Sequence, residues 1–128
     1  MIDKALFEQG LANRKDVLGA EYVEANIASA DDFNMPLQEM VTAFAWGHVW
    51  GRTDEFPRRM RSIINLAMLT ALNRPHELKT HIKGALTNGV TREEIREVFL
   101  QAAIYCGFPA AIDSFRIARE AFNEVDGE

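Results

Sequence analysis

Apolar residues recur at helical intervals along nearly all of this chain, and no stretch alternates apolar with polar residues as a half-buried strand would. The punctuation agrees with that reading. Gly19 and Gly51 close helical runs, Pro57 and Pro75 stand where runs open, and Asn88-Gly89 suits a left-handed helix end. Thr91-Arg92-Glu93-Glu94 is a capping-box sequence, in which Glu94 reaches back to the backbone of Thr91. These signals predict helices over 4–18, 21–29, 36–50, 57–73, 75–88, 91–106 and 110–124, with Asn34 capping the third. The expected fold is an all-α bundle of about six or seven helices in a single domain, residues 1–128. Short connections favour antiparallel neighbours. Ile63, Ile64, Ala67, Met68 and Ala71 are the expected core stripe of the fourth helix, and Leu78, Ile82, Ala85 and Leu86 that of the fifth. Ile112, Phe115, Ile117, Ala118 and Phe122 are the expected stripe of the last.

A hydrophobic fraction of 48% over 128 residues is enough for a genuine core. The net charge of −5 argues against a general nucleic-acid binder, since phosphate binding needs clustered Lys and Arg. Cys106 is the only cysteine, so an intrachain disulfide is excluded, a thiolate zinc site is disfavoured, and a reducing, cytoplasmic setting is the natural expectation. The opening Met1–Glu8 has no apolar run of signal-peptide length, and no stretch approaches a membrane span. Neither nucleic acid nor membrane is expected as a partner, and no metal site is expected.

Glu77 and His81 stand one helical turn apart on one face, where the carboxylate can orient the imidazole and raise its basicity. The plain alternative is a border histidine with no chemistry. Gly84 and Asn88 share that face, and a glycine there permits close approach by a ligand or a helix. Arg58, Arg59 and Arg61 open the fourth helix, where the macrodipole disfavours cations. Either Asp54 and Glu55 offset them at a solvated surface, or Arg58 and Arg61 form an anion site with Ser62 and Asn65 on one face. Trp46 and Trp50, with Phe44 and His48 nearby, suit a core or an interface. Tyr105 precedes Cys106, which reads as a small buried hydrophobe, and His76 reads as surface.

The run Leu66-Ala67-Met68-Leu69-Thr70-Ala71-Leu72-Asn73-Arg74, then Glu77-Leu78, His81, Gly84-Ala85-Leu86, Asn88-Gly89 and Thr91-Arg92-Glu93-Glu94-Ile95, closely resembles the carboxymuconolactone decarboxylase family. Ile104-Tyr105-Cys106-Gly107-Phe108-Pro109-Ala110-Ala111 continues the match, and Val17-Leu18-Gly19 and Ala45-Trp46-Gly47 extend it into the first half. The resemblance implies the all-helical AhpD-like fold shared with thiol-dependent hydroperoxide reductases, often assembled as hexameric rings. The peroxidase branch carries Cys-x-x-Cys-x-x-x-His. With its histidine laid on His81, the two cysteines fall on Arg74 and Glu77, which disfavours disulfide-cycling chemistry. One departure is local: Arg52-Thr53-Asp54-Glu55-Phe56-Pro57 replaces the family's Arg-Pro-Gly-like turn.

What the resemblance implies is a cofactor-independent decarboxylase acting on a small dicarboxylated lactone, 4-carboxymuconolactone, in a cytoplasmic homo-oligomer, trimer or hexamer. His81 would be the general acid or proton shuttle and Glu77 its orienting group. Arg58 or Arg61 would grip a carboxylate, and Trp46, Trp50 and Tyr105 would shape a dry pocket. Hydroperoxide reduction through Cys106, or a non-catalytic helical assembly, are the competing expectations.

Overall fold

A computed structural model describes residues 2–127. Among them there is no strand, and the expected all-α architecture is what the chain adopts. Two compact units divide it, the first running to Pro57 and the second from Arg58.

The first unit holds α1 (Lys4–Leu18), α2 (Ala20–Ala28) and α3 (Met35–Met40), which runs on as a π-helix (Val41–Val49). Asp3 caps α1, its carboxylate accepting from Leu6 N at 3.1 Å, and Gly19 at φ 93° turns the chain into α2. Asn34 does occupy the N-cap position of α3, but its side chain accepts from Asp31 N at 2.8 Å instead of capping the helix. The regular helix expected over 36–50 is the larger correction. From Val41 the winding widens, as in Trp50 N bonding to Ala45 O at 2.9 Å, five residues back. Packing against α1 supports this less favourable winding. Gly10 lies so close to the π turn that a Cβ would sit 1.8 Å from Thr42 O, and Asn13 Nδ2 donates to Trp46 O at 2.9 Å. Val17, Trp46 and Trp50 form the buried core here.

The second unit holds α4 (Arg58–Leu72), α5 (Pro75–Thr87), α6 (Arg92–Cys106) and α7 (Phe108–Val125). α5 packs on α4 and α7, and α6 on α7 and α4, so the four helices enclose one core of Leu66, Leu78, Ile82, Ile95, Phe99 and Ile117. The capping box at Thr91 is complete, with Thr91 Oγ1 accepting from Glu94 N at 3.0 Å and Glu94 accepting from Thr91 N at 2.9 Å. Gly89 takes φ 88° after α5, the left-handed end read from Asn88-Gly89.

Leu78, Ile82 and Ala85 of the expected α5 stripe are buried and Leu86 is partly so, but the α4 stripe is rotated. Its buried positions are Ser62, Leu66 and Thr70, while Ile64 and Met68 face outward. Hydroxyl pairing explains the rotation: Thr70 Oγ1 and Ser114 Oγ bond at 2.9 Å, and Asn88 Nδ2 donates to Ser62 Oγ at 2.9 Å. Small, satisfied polar groups thus let the helices approach closely where larger apolar ones would hold them apart. On α7 the inward residues are Ala111, Ser114, Ile117, Ala118 and Ala121, with Ile112 and Phe115 turned outward.

Candidate active site

His81 sits midway along α5, flanked in sequence by the fully buried Ile82 and one turn before the buried Ala85. Its ring is half-buried. Loss of hydration pushes its pKa below the usual 6.5, and the nearby Glu77 charge pulls part of the way back. Desolvation outweighs that charge and favours the neutral imidazole. Glu77 is exposed, one turn toward the start of α5, and acts on the ring through its charge. Pro75 opens this helix, and the acidic Glu77 in its first turn complements the helix dipole.

Arg58 and Arg61 are half-buried in the first turn of α4. Arg59 between them is held by an ion pair with Glu94 of the α6 capping box, which offsets its unfavourable place near the helix start. The Asn88–Ser62 bond fixes the register of the antiparallel α4–α5 hairpin and sets His81 opposite the stretch around Leu66 to Leu69. At a rise of about 1.5 Å per residue, Arg61 then lies on the order of 10 Å from His81 along the hairpin, and Arg58 about 15 Å. Arg61, Asn65 and Leu69 form one i, i+4, i+8 line leading to that level. The hairpin therefore orders its cations, with Arg61 the nearer.

Tyr105 is 82% exposed at the end of α6. With Ile63, Ile64, Ala67 and Ala102 it lines an apolar groove of about 260 Å³. Cys106 lines the same groove and is exposed, which corrects its reading as a buried hydrophobe. The end of α6 faces solvent there, with Ile104 and Phe108 on either side also exposed. Trp46 and Trp50 belong to the first unit, where their rings stack with centroids 4.6 Å apart and each is nearly buried. A further buried cation in that unit escaped the sequence reading. Arg14 Nη1 donates to Gln38 Oε1 at 2.9 Å and Thr42 Oγ1 at 3.2 Å, tying α1 to the start of the π-helix. Among the described residues, no cluster of three or more His, Cys, Asp or Glu is placed to hold a metal ion.

A half-buried imidazole one turn from a carboxylate, on a helical hairpin that also carries arginines, makes up the candidate site. Comparison with known proteins specifies the class. Residues 36–120 match the model of the Carboxymuconolactone decarboxylase family, a stretch that begins in α3 and ends in α7. Over 124 residues the chain is 41% identical to nitrosuccinic acid decarboxylase npaB of Metarhizium robertsii, covering 97% of this chain and 86% of that protein. Over 125 residues it is 38% identical to the 4-carboxymuconolactone decarboxylase of Acinetobacter baylyi, covering 98% and 92%. The chain belongs to the carboxymuconolactone decarboxylase family, and within it the chain is a carboxy-lyase.

Proposed function

We propose that this chain decarboxylates 4-carboxymuconolactone to the β-ketoadipate enol-lactone in the protocatechuate branch of the β-ketoadipate pathway, with His81 as proton donor. The observation that carries the assignment is the half-buried imidazole of His81, one turn from Glu77 on the helical hairpin that also bears Arg61. The two relatives' substrates share a chemical logic. Each has more than one carboxylate, and one of these is attached to a carbon whose electron pair a nitro group or a conjugated lactone carbonyl can accept.

In the lactone, the bond from ring carbon to carboxylate breaks and carbon dioxide leaves. The electron pair spreads through the double bond onto the lactone carbonyl oxygen, giving an oxyfuran-like dienolate. A proton then adds to the carbon beside that carbonyl. The substrate carries its own electron sink, so no step is routed through a cofactor. The protein supplies anion binding, charge stabilisation and the proton. A bound dianion raises the His81 pKa and so recruits its proton from solvent on binding. Arg61 is the better placed of the two candidate arginines to hold a carboxylate, while Arg58 lies farther along the hairpin. Glu77 keeps the imidazole oriented.

The working form is a cytoplasmic homo-oligomer, a trimer or hexamer, in which residues 1–128 act as one domain. What supports assembly is the apolar surface of the second unit: Ile64, Met68, Leu72, Ile104, Phe108 and Ile112 are all exposed, more than an isolated chain ordinarily leaves to water. No helix among the described residues is long and apolar enough to cross a membrane, so a second copy is the natural cover.

The test is an assay of purified protein with 4-carboxymuconolactone and, separately, nitrosuccinate, following carbon dioxide release. Turnover of the lactone with the nitro acid poor or inert supports the assignment. Preference for nitrosuccinate would overturn the substrate while keeping the chemistry, and inertness toward both would overturn the proposal.

A further inference from the structure

Between α6 and α7 lies a groove of about 260 Å³ that the proposed reaction does not use. Its residues are supplied by α6 and α7 alone, so it is separate from His81 on α5. Phe99 is fully buried at its base, and Phe115 stands edge-on to it with centroids 5.8 Å apart. At the other end the Arg92 guanidinium covers the Phe122 ring, 4.6 Å from its centroid. These two pairs set the register of the antiparallel helices. Phe99 faces Phe115 and Arg92 faces Phe122, so midway between them Arg96 faces the small, buried Ala118, with Arg119 beside it.

The charges differ in availability. Arg92 is committed to Asp126 through bonds of 3.1 and 2.6 Å, which fixes it as a wall. Arg96 pairs only with its sequence neighbour Glu97, at 3.2 Å and in solvent, a contact easily exchanged. Arg119 is exposed and makes no hydrogen bond or ion pair among the described residues. Glu93 is the one carboxylate on the lining, against three guanidinium groups. Two exchangeable cations lining the same groove as the partly exposed Phe115 ring match a molecule with a flat ring and an anionic end. The volume is below the usual 300–1,000 Å³ of ligand pockets and so selects a single ring with a carboxylate over anything of nucleotide size.

We infer that this groove is a second site, which binds a small aromatic carboxylate between Arg96 and Arg119. Benzoate is the probe, titrated by calorimetry into the intact protein, with a dissociation constant expected on the order of 0.1–1 mM. Exchanging both exposed arginines, Arg96→Gln and Arg119→Gln, weakens binding about tenfold or more without altering the circular dichroism. Benzyl alcohol, which keeps the ring and loses the charge, does not saturate. His81→Gln binds benzoate as the wild type does, which separates this site from the catalytic one. No saturation by 10 mM benzoate, equal binding by the double variant, or loss of binding in His81→Gln would each overturn the inference. So would a change in oligomeric mass in the double variant without benzoate binding, because the groove would then be a contact between copies.

Discussion

Replacing Gly10 by alanine tests how tightly α1 is set against the π-helix. The added Cβ would lie 1.8 Å from the Thr42 carbonyl oxygen and 2.8 Å from Gly47 N, whereas ordinary contact begins near 3.4 Å. Both obstacles are backbone, so no side chain can swing aside. α1 must withdraw by about 1.6 Å locally. That displacement also carries Asn13 away from the Trp46 carbonyl it now meets at 2.9 Å. Overpacking of this kind costs about 1–3 kcal/mol, and the strained hydrogen bond adds about 1 kcal/mol. Alanine's better helix propensity returns at most about 1 kcal/mol. A net loss of about 1–3 kcal/mol is expected. Urea unfolding followed by tryptophan fluorescence reads it directly, because Trp46 and Trp50 are buried in the same unit. With a slope of about 2 kcal/mol per molar urea, the midpoint should fall by about 0.5–1.5 M. A Gly10→Ala midpoint within about 0.2 M of wild type would refute the packing argument.

Three further outcomes follow from other parts of the molecule. Thr70→Val and Ser114→Ala should each cost about 1–3 kcal/mol by stranding the other hydroxyl, while the double variant loses less than the sum, as a double-mutant cycle in urea would show. His81 holds fewer protons folded than unfolded below its ordinary pKa of 6.5, so stability should be full above that value and decline as pH falls from 6.5 toward the depressed folded pKa; His81→Gln should lack this part of the slope. Cys106→Ser should retain decarboxylase activity within about twofold, since the exposed thiol takes no part in proton transfer; loss of turnover would instead favour chemistry at Cys106.

Helix boundaries were readable because they depend on local chemistry. Gly19, Asn88-Gly89 and the Thr91–Glu94 box each impose a backbone geometry that no tertiary contact needs to supply. The π-helix was not readable, because its cause lies in Gly10 of another helix pressing on Thr42. The α4 stripe misled for a related reason: Ser62 and Thr70 look like surface residues until Asn88 and Ser114 are known to meet them. At the candidate site, the Glu77–His81 pair followed from helical spacing, but the depressed His81 pKa required knowing that burial outweighs the neighbouring charge. The ranking of Arg61 over Arg58 needed the hairpin register. The Arg96–Arg119 groove needed the register of α6 and α7, since its two cations are far apart in sequence and the Phe99–Phe115 and Arg92–Phe122 contacts bring them level.

The pH dependence of lactone decarboxylation by wild type and His81→Gln tests the central claim most directly. If imidazolium donates the proton, kcat/KM should fall as pH rises through a pKa below 6.5, because it reports the free enzyme. The plateau in kcat should extend to higher pH, because the bound dianion raises that pKa. His81→Gln should lose about 100-fold or more in kcat and lose this titration with it. Turnover by His81→Gln within a few-fold of wild type, with the same pH profile, would contradict the assignment of His81 as the proton donor.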